Sequence, residues 1–192
     1  MNLYAYAGNN PISFGDPFGL CPPTNTNTAD CDNKTQLGQA WQTLDKTKQG
    51  KEVIQAYVDN DAYVDTDISG CASGDKNCTD RGASPDGTDQ VHVGGANAQE
   101  IALGLSHEIV HVKGNADAHT ESGVDEEMSA YGGAFNVYHA MSSSDQNAAK
   151  WYKDRERYFR LDPEGVRQEI ECKNIPKADR GGWNVWKQAS CQ

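Results

Sequence analysis

Apolar positions along the chain follow two rhythms, separated by polar and glycine-rich stretches. From 35 to 59, Leu37, Trp41 and Leu44, then Val53, Ile54, Tyr57 and Val58, recur at three- and four-residue spacing. That period puts apolar side chains on one helix face, and Gly50 is expected to divide the stretch into two helices. Residues 61–68 (DAYVDTDI) alternate and predict a strand; 89–94 (DQVHVG) predict a second. Between them, 69–88 is rich in glycine and small polar residues and reads as a loop.

The strongest helical pattern is 97–113, where Ile101, Leu105, Ile109 and Val112 mark one stripe with Ala98 and Ala102 beside it. Asn97 is placed to cap its start and Gly114 its end. A polar loop over 115–123 leads to a helix over 124–141 with Asp125 as its N-cap. The Gly132-Gly133 pair inside it costs helix propensity, which points to a packing requirement. Amphipathic helices are expected over 145–160 and 163–172, followed by a tail with two tryptophans. Ahead of all this, 1–20 is rich in turn-forming and aromatic residues, and 21–34 has the composition of a linker. No repeat of solenoid length occurs. The expected class is α+β, mostly helical, with a small sheet beside the 97–113 helix, and 35–192 as its domain.

Composition narrows the functions open to such a fold. The 192 residues suit one domain, or one domain with a tail. Hydrophobic residues make up 36%, and the mean hydropathy is -0.77. Seventeen basic against 28 acidic residues give a net charge of -11, a field that repels nucleic acid and anionic membranes. No run reaches the roughly 20 apolar residues of a membrane span, and the start lacks the basic and apolar regions of a signal peptide. Cys21/Cys31, Cys71/Cys78 and Cys172/Cys191 are three sequence-local pairs in loop-like surroundings. Nearest-neighbour disulfides and an oxidising destination are therefore expected.

The chemistry sits in the best helix. His107-Glu108-Ile109-Val110-His111 is an HExxH sequence. Four residues are a little over one helical turn, so both imidazoles leave one face and can share a cation. Zinc brings the pKa of a bound water to about 7, and Glu108, adjacent to His107, is placed to take its proton and pass it to a leaving amine. The blander reading is two surface histidines with a glutamate between them. A zinc site needs a third ligand, and three candidates exist. Glu126 and Glu127 open the next helix, while Asp117 completes an extended HExxHxxGxxD pattern, His119 being off that register. The helix glutamates are preferred because a packed helix holds a carboxylate rigidly, and Ala130, one turn beyond Glu127, favours Glu127 over Glu126. Met128 lies in a helical pattern, which argues against a Met-turn. Tyr131, His139 and Tyr138 are candidates for stabilising a transition state, though each residue type more often packs or faces solvent. His92 is either a cleft residue on an edge strand or an exposed strand residue.

Two resemblances add to this reading. Asn2-Leu3-Tyr4, Tyr6, Asn9-Asn10-Pro11 and Asp16-Pro17-Phe18-Gly19-Leu20 resemble the end of the core in Rhs/YD-repeat polymorphic toxins. That resemblance implies autocleavage after Leu20, a toxin beginning at Cys21 within a longer gene product, the Rhs core and a bacterial secretion machinery as partners, and a cognate immunity protein. Over roughly 97–140 the chain is similar to zinc metallopeptidase effector toxins, through Gly104 to His111, Gly114-Asn115 and Glu126-Glu127. This second resemblance implies a zincin-like, gluzincin-type fold with His107 and His111 as ligands, Glu108 as base and one of the glutamate pair as third ligand. The expected function is zinc-dependent endoproteolysis of a target-cell protein after delivery. The alternative is a non-catalytic metal-binding module that acts by binding its target. A nuclease or deaminase fits poorly with the charge and with the lack of a deaminase signature.

Overall fold

The computed structural model describes residues 34–71, 75–82, 87–114 and 121–174. Helix α1 (Gln36–Asp45) starts at Thr35, whose hydroxyl accepts the Gly38 amide, and it buries Leu37, Trp41 and Leu44. Thr47 repeats the device for α2 (Lys48–Asn60), accepting the Gly50 amide at 2.9 Å. The break predicted at Gly50 therefore falls earlier, at Lys46 and Thr47. Gly50 lies in the first turn of α2, where an added Cβ would collide with the Leu44 carbonyl. It lets the two helices close up and ends neither.

Three strands follow: β1 (Tyr63–Asp65), β2 (Asn77–Asp80) and β3 (Gln90–Val93), in the order β1-β3-β2. β1 runs parallel to β3 and β2 antiparallel, with Val64 and Thr79 both opposite Val91. β1 is shorter than the 61–68 pattern suggested. The Asp65 and Asp67 carboxylates accept the amides of Asp67 and Ser69, each at 3.0 Å, and turn the chain into a 3₁₀ turn at Ile68–Gly70. β2 arises inside the stretch expected to be loop. Its four residues have no apolar alternation, so pairing with β3 defines it, and the Cys71–Cys78 disulfide fastens it to the 3₁₀ turn. β3 is central, not the edge strand expected before the motif helix. His92 on it is correspondingly buried, between Asp65 on β1 (2.7 Å) and Asp80 on β2 (3.6 Å).

Helix α3 (Ala98–Lys113) matches its expected span. Asn97 accepts the Glu100 amide, and Glu100 returns to accept the Ala96 amide, which makes a reciprocal cap. The Gly114 amide closes the other end on the Val110 and His111 carbonyls. Helix α4 (Glu121–Ala140) begins before the predicted start. Asp125 is therefore inside the helix and pairs with Arg167 rather than capping it. Of the glycine pair, Gly133 has the packing reason: a Cβ there would press on Val110 and the Ser106 carbonyl, whereas Gly132 has nothing near. The single helix expected over 145–160 is two, α5 (Ser143–Ala148) and α6 (Lys150–Leu161), parted at Ala149, where the backbone leaves helical angles. Helix α7 (Pro163–Asn174) completes the described chain.

The fold is α+β, mostly helical with one three-stranded sheet. α3 lies at its centre, packed by α1, α4 and the sheet, and Ile101, Leu103 and Leu105 on it are almost wholly buried. Tyr57 reaches from α2 to donate to the Leu105 carbonyl at 2.9 Å and meets Trp41 edge-on. Among the described residues no helix is long and apolar enough to cross a membrane. The Cys71–Cys78 pairing agrees with nearest-neighbour expectation, and Cys172 is also disulfide-bonded. Cys21, Cys31, Cys191, the 1–20 segment with Leu20, and the loop residues Asp117 and His119 lie outside the described residues.

Candidate metal centre

Helical spacing and helix packing together build the site. His107 and His111 are one turn apart on α3, with Nε2 atoms 3.2 Å apart. α4 crosses over them and delivers Glu127. One Glu127 oxygen lies 3.3 Å from His107 Nε2, and the other lies 3.0 Å from His111 Nε2. One ligand atom from each of the three residues lies within 4.8 Å of the others. Tetrahedral ligands about 2.0–2.1 Å from a zinc ion are about 3.3 Å apart, so the donor spacing matches such an ion in size and in N/O chemistry. Cobalt or another divalent metal that takes imidazole and carboxylate fits by the same criteria.

The two glutamates have separate places. Glu126 lies on the far side of His111, 2.9 Å from Nδ1, where it orients the ring and leaves Nε2 for the centre. Glu127 alone of the pair faces both Nε2 atoms.

Glu108 is 3% exposed, with Oε1 4.0 Å from His107 Nε2 and Oε2 accepting the Thr79 hydroxyl at 2.9 Å. Burial pushes its carboxyl above the ordinary range, against the pull of His107, His111 and the Thr79 bond. Burial opposes a charge on His111, but the Glu127 hydrogen bond and the nearby carboxylates outweigh it and raise the ring to about 9. Burial likewise opposes a charge on Glu127, and the two histidines outweigh it, holding this carboxylate well below its usual range. Without a metal, then, this partly buried cluster favours a protonated His111 in the place a cation would take.

Tyr131, one turn beyond Glu127, lays its ring against His107 with centroids 4.8 Å apart. Burial pushes its phenol up to about 12, and the Arg155 guanidinium sits 4.8 Å over its ring. It adjoins the site as a wall already engaged by Arg155. His139 is elsewhere: it is mostly exposed and 3.3 Å from Glu156. Tyr138 is buried against α5, where its carbonyl accepts from Gln146.

Two participants went unseen in the sequence, Thr79 and Arg81. Both belong to the stretch read as loop, and the only trace of them is the alternate spacing Asn77-x-Thr79-x-Arg81. Gly104 makes their approach possible, since a Cβ there would come 2.7 Å from the Asn77 side-chain oxygen. Comparison with protein-family models, curated proteins and solved structures finds no match to this chain.

Proposed function

We propose that this chain is a zinc-dependent endopeptidase with a zincin-like catalytic site, the toxin part of an Rhs protein that acts on a protein of a target cell. The convergence of His107, His111 and Glu127 beside a buried, hydrogen-bonded Glu108 carries the reading. The 1–20 motif supports the Rhs origin, and the Cys71–Cys78 disulfide accords with passage through an oxidising compartment.

A zinc ion held by the three side chains would supply Lewis acidity, which eases deprotonation of the attacking water and polarises the scissile carbonyl. The protein's own residues do the remaining work. Thr79 ties Oε2 of Glu108 and so leaves Oε1 toward the histidines. Glu108 takes a proton from the water as the water oxygen bonds to the carbonyl carbon. As the C–N bond breaks, the same carboxyl returns that proton to the departing amine. A carboxylate raised by burial suits both halves of this transfer, because it holds a proton more firmly than a solvated one yet still releases it. β2, at the sheet edge beside α3, is placed to pair with an extended substrate backbone. A cognate immunity protein is the partner expected to restrain the enzyme in the producing cell.

Glu108→Gln is the decisive variant. It keeps shape and the Thr79 contact but removes the base. Zinc content and circular dichroism are expected to match the parent, while cleavage of a peptide library falls by about 100-fold or more and toxicity on expression in the target compartment disappears. A Glu108→Gln chain that remains fully toxic refutes the mechanism. Zinc bound stoichiometrically by a parent chain that cleaves nothing favours a binding module instead.

A further inference from the structure

In the sequence only the small Ala130, one turn beyond Glu127, favours Glu127 over Glu126, its neighbour on one turn of α4. Only one faces the metal centre, so something outside the helix sorts them. Arg81, directly after β2, donates to Glu126 Oε1 at 3.3 Å, and that same oxygen is 2.9 Å from His111 Nδ1. Arg81 also donates to the carbonyls of His111 (3.0 Å) and Gly114, at the end of α3. One guanidinium thus grips the helix that bears the histidines and the carboxylate that orients one of them.

Its placement follows from commensurate spacing. Alternate residues of a strand are about 6.6–6.8 Å apart, and four residues of a helix rise about 6 Å. β2 runs alongside α3 in that register: Asn77 meets Gly104, Thr79 meets Glu108, and Arg81 meets His111 and Gly114. A strand with almost no apolar content thereby serves the motif helix at successive turns.

We propose that Arg81 is a positioning residue of the metal centre. It reserves Glu126 for the Nδ1 side of His111, fixes that ring with Nε2 inward, and leaves Glu127 as the carboxylate ligand. The role rests on the metal reading above. Arginine suits it because its planar fork can hold a carboxylate and backbone carbonyls at once, which an ammonium cannot do with the same geometry.

The test is zinc affinity, measured on the full chain by competition with a chromophoric chelator. The set is the parent, Arg81→Met, Arg81→Lys, Glu126→Gln and the double variant Arg81→Met/Glu126→Gln, with metal-free thermal midpoints recorded alongside. Arg81→Met and Glu126→Gln are each expected to weaken zinc binding about 10- to 100-fold, and Arg81→Lys to recover part of the loss. The double variant is expected to bind no more weakly than Glu126→Gln alone, because Arg81 acts through that carboxylate. That non-additivity separates positioning from a general loss of packing. Parent-like affinity in Arg81→Met, or losses that multiply in the double variant, overturns the proposal and leaves the metal centre standing. A parent chain that binds no zinc overturns both.

Discussion

At the scale of single residues, each ligand group is buried enough to need a partner, and each has one. His111 is the clearest case. Metal-free, it is lifted from 6.5 to about 9, burial being outweighed by Glu127 and its neighbours. Binding a cation requires the neutral ring, so below about 9 a proton must leave as the metal enters. Zinc affinity is therefore expected to climb with pH, by up to about tenfold per unit for this one proton, and to level off above about 9. Chelator competition at several pH values reads this directly; an affinity flat from 6.5 to 9 contradicts it. The metal-free fold responds with the opposite sign. A raised histidine contributes stability in full below 6.5, and that contribution is lost as the pH rises through about 9.

Among the elements, the α3–β2 contact does the most for the site. α3 has its own propensity, caps and apolar stripe, and would be helical in many settings. β2 has none of these. The Cys71–Cys78 disulfide, the pairing with β3 and the absence of a side chain at Gly104 hold it against α3. Gly104→Val is expected to push β2 away. Overpacking of this kind costs about 1–3 kcal/mol, measurable by urea titration. If the proposed mechanism holds, separating Thr79 from Glu108 is also expected to lower turnover by more than the stability loss explains. A variant that loses stability but keeps full activity would show that the Thr79 contact is dispensable.

Across the whole molecule, α3 carries both the centre of the core and two of the candidate metal ligands, so a bound ion would couple to folding. Ile101, Leu103 and Leu105 lie in the core while His107 and His111 continue the same helix into the site. An ion bound there would link α3 to α4 through Glu127 and replace a partly buried cluster that otherwise holds a proton. Removing zinc with a chelator is expected to lower the thermal midpoint, and restoring it to raise it. A free-zinc excess of about a hundredfold over Kd is worth about 2.7 kcal/mol. Scanning calorimetry with and without chelator checks this, and identical midpoints would mean no ion is bound. The net charge of -11 acts at the same scale: it disfavours nucleic acid as a target and favours cations at the centre.

The sequence by itself determined the motif helix, its caps, the pairing of His107 with His111 on one face, and the helical class. These follow from local rules: the 3.6-residue period, side-chain capping and the projection of residues four apart. The sequence also preferred Glu127 to Glu126, on the small Ala130 one turn on, and the structure agrees. Only the tertiary structure decided how far α4 extends, that β3 is central and His92 buried, and that Glu126 turns instead to His111 Nδ1. It also placed Thr79, in a strand that exists only through its partners, and Arg81 directly after that strand. No local period marks such residues, because their positions depend on contacts between segments far apart in the chain, made when packing brings a strand edge, two helices and a buried charge cluster together.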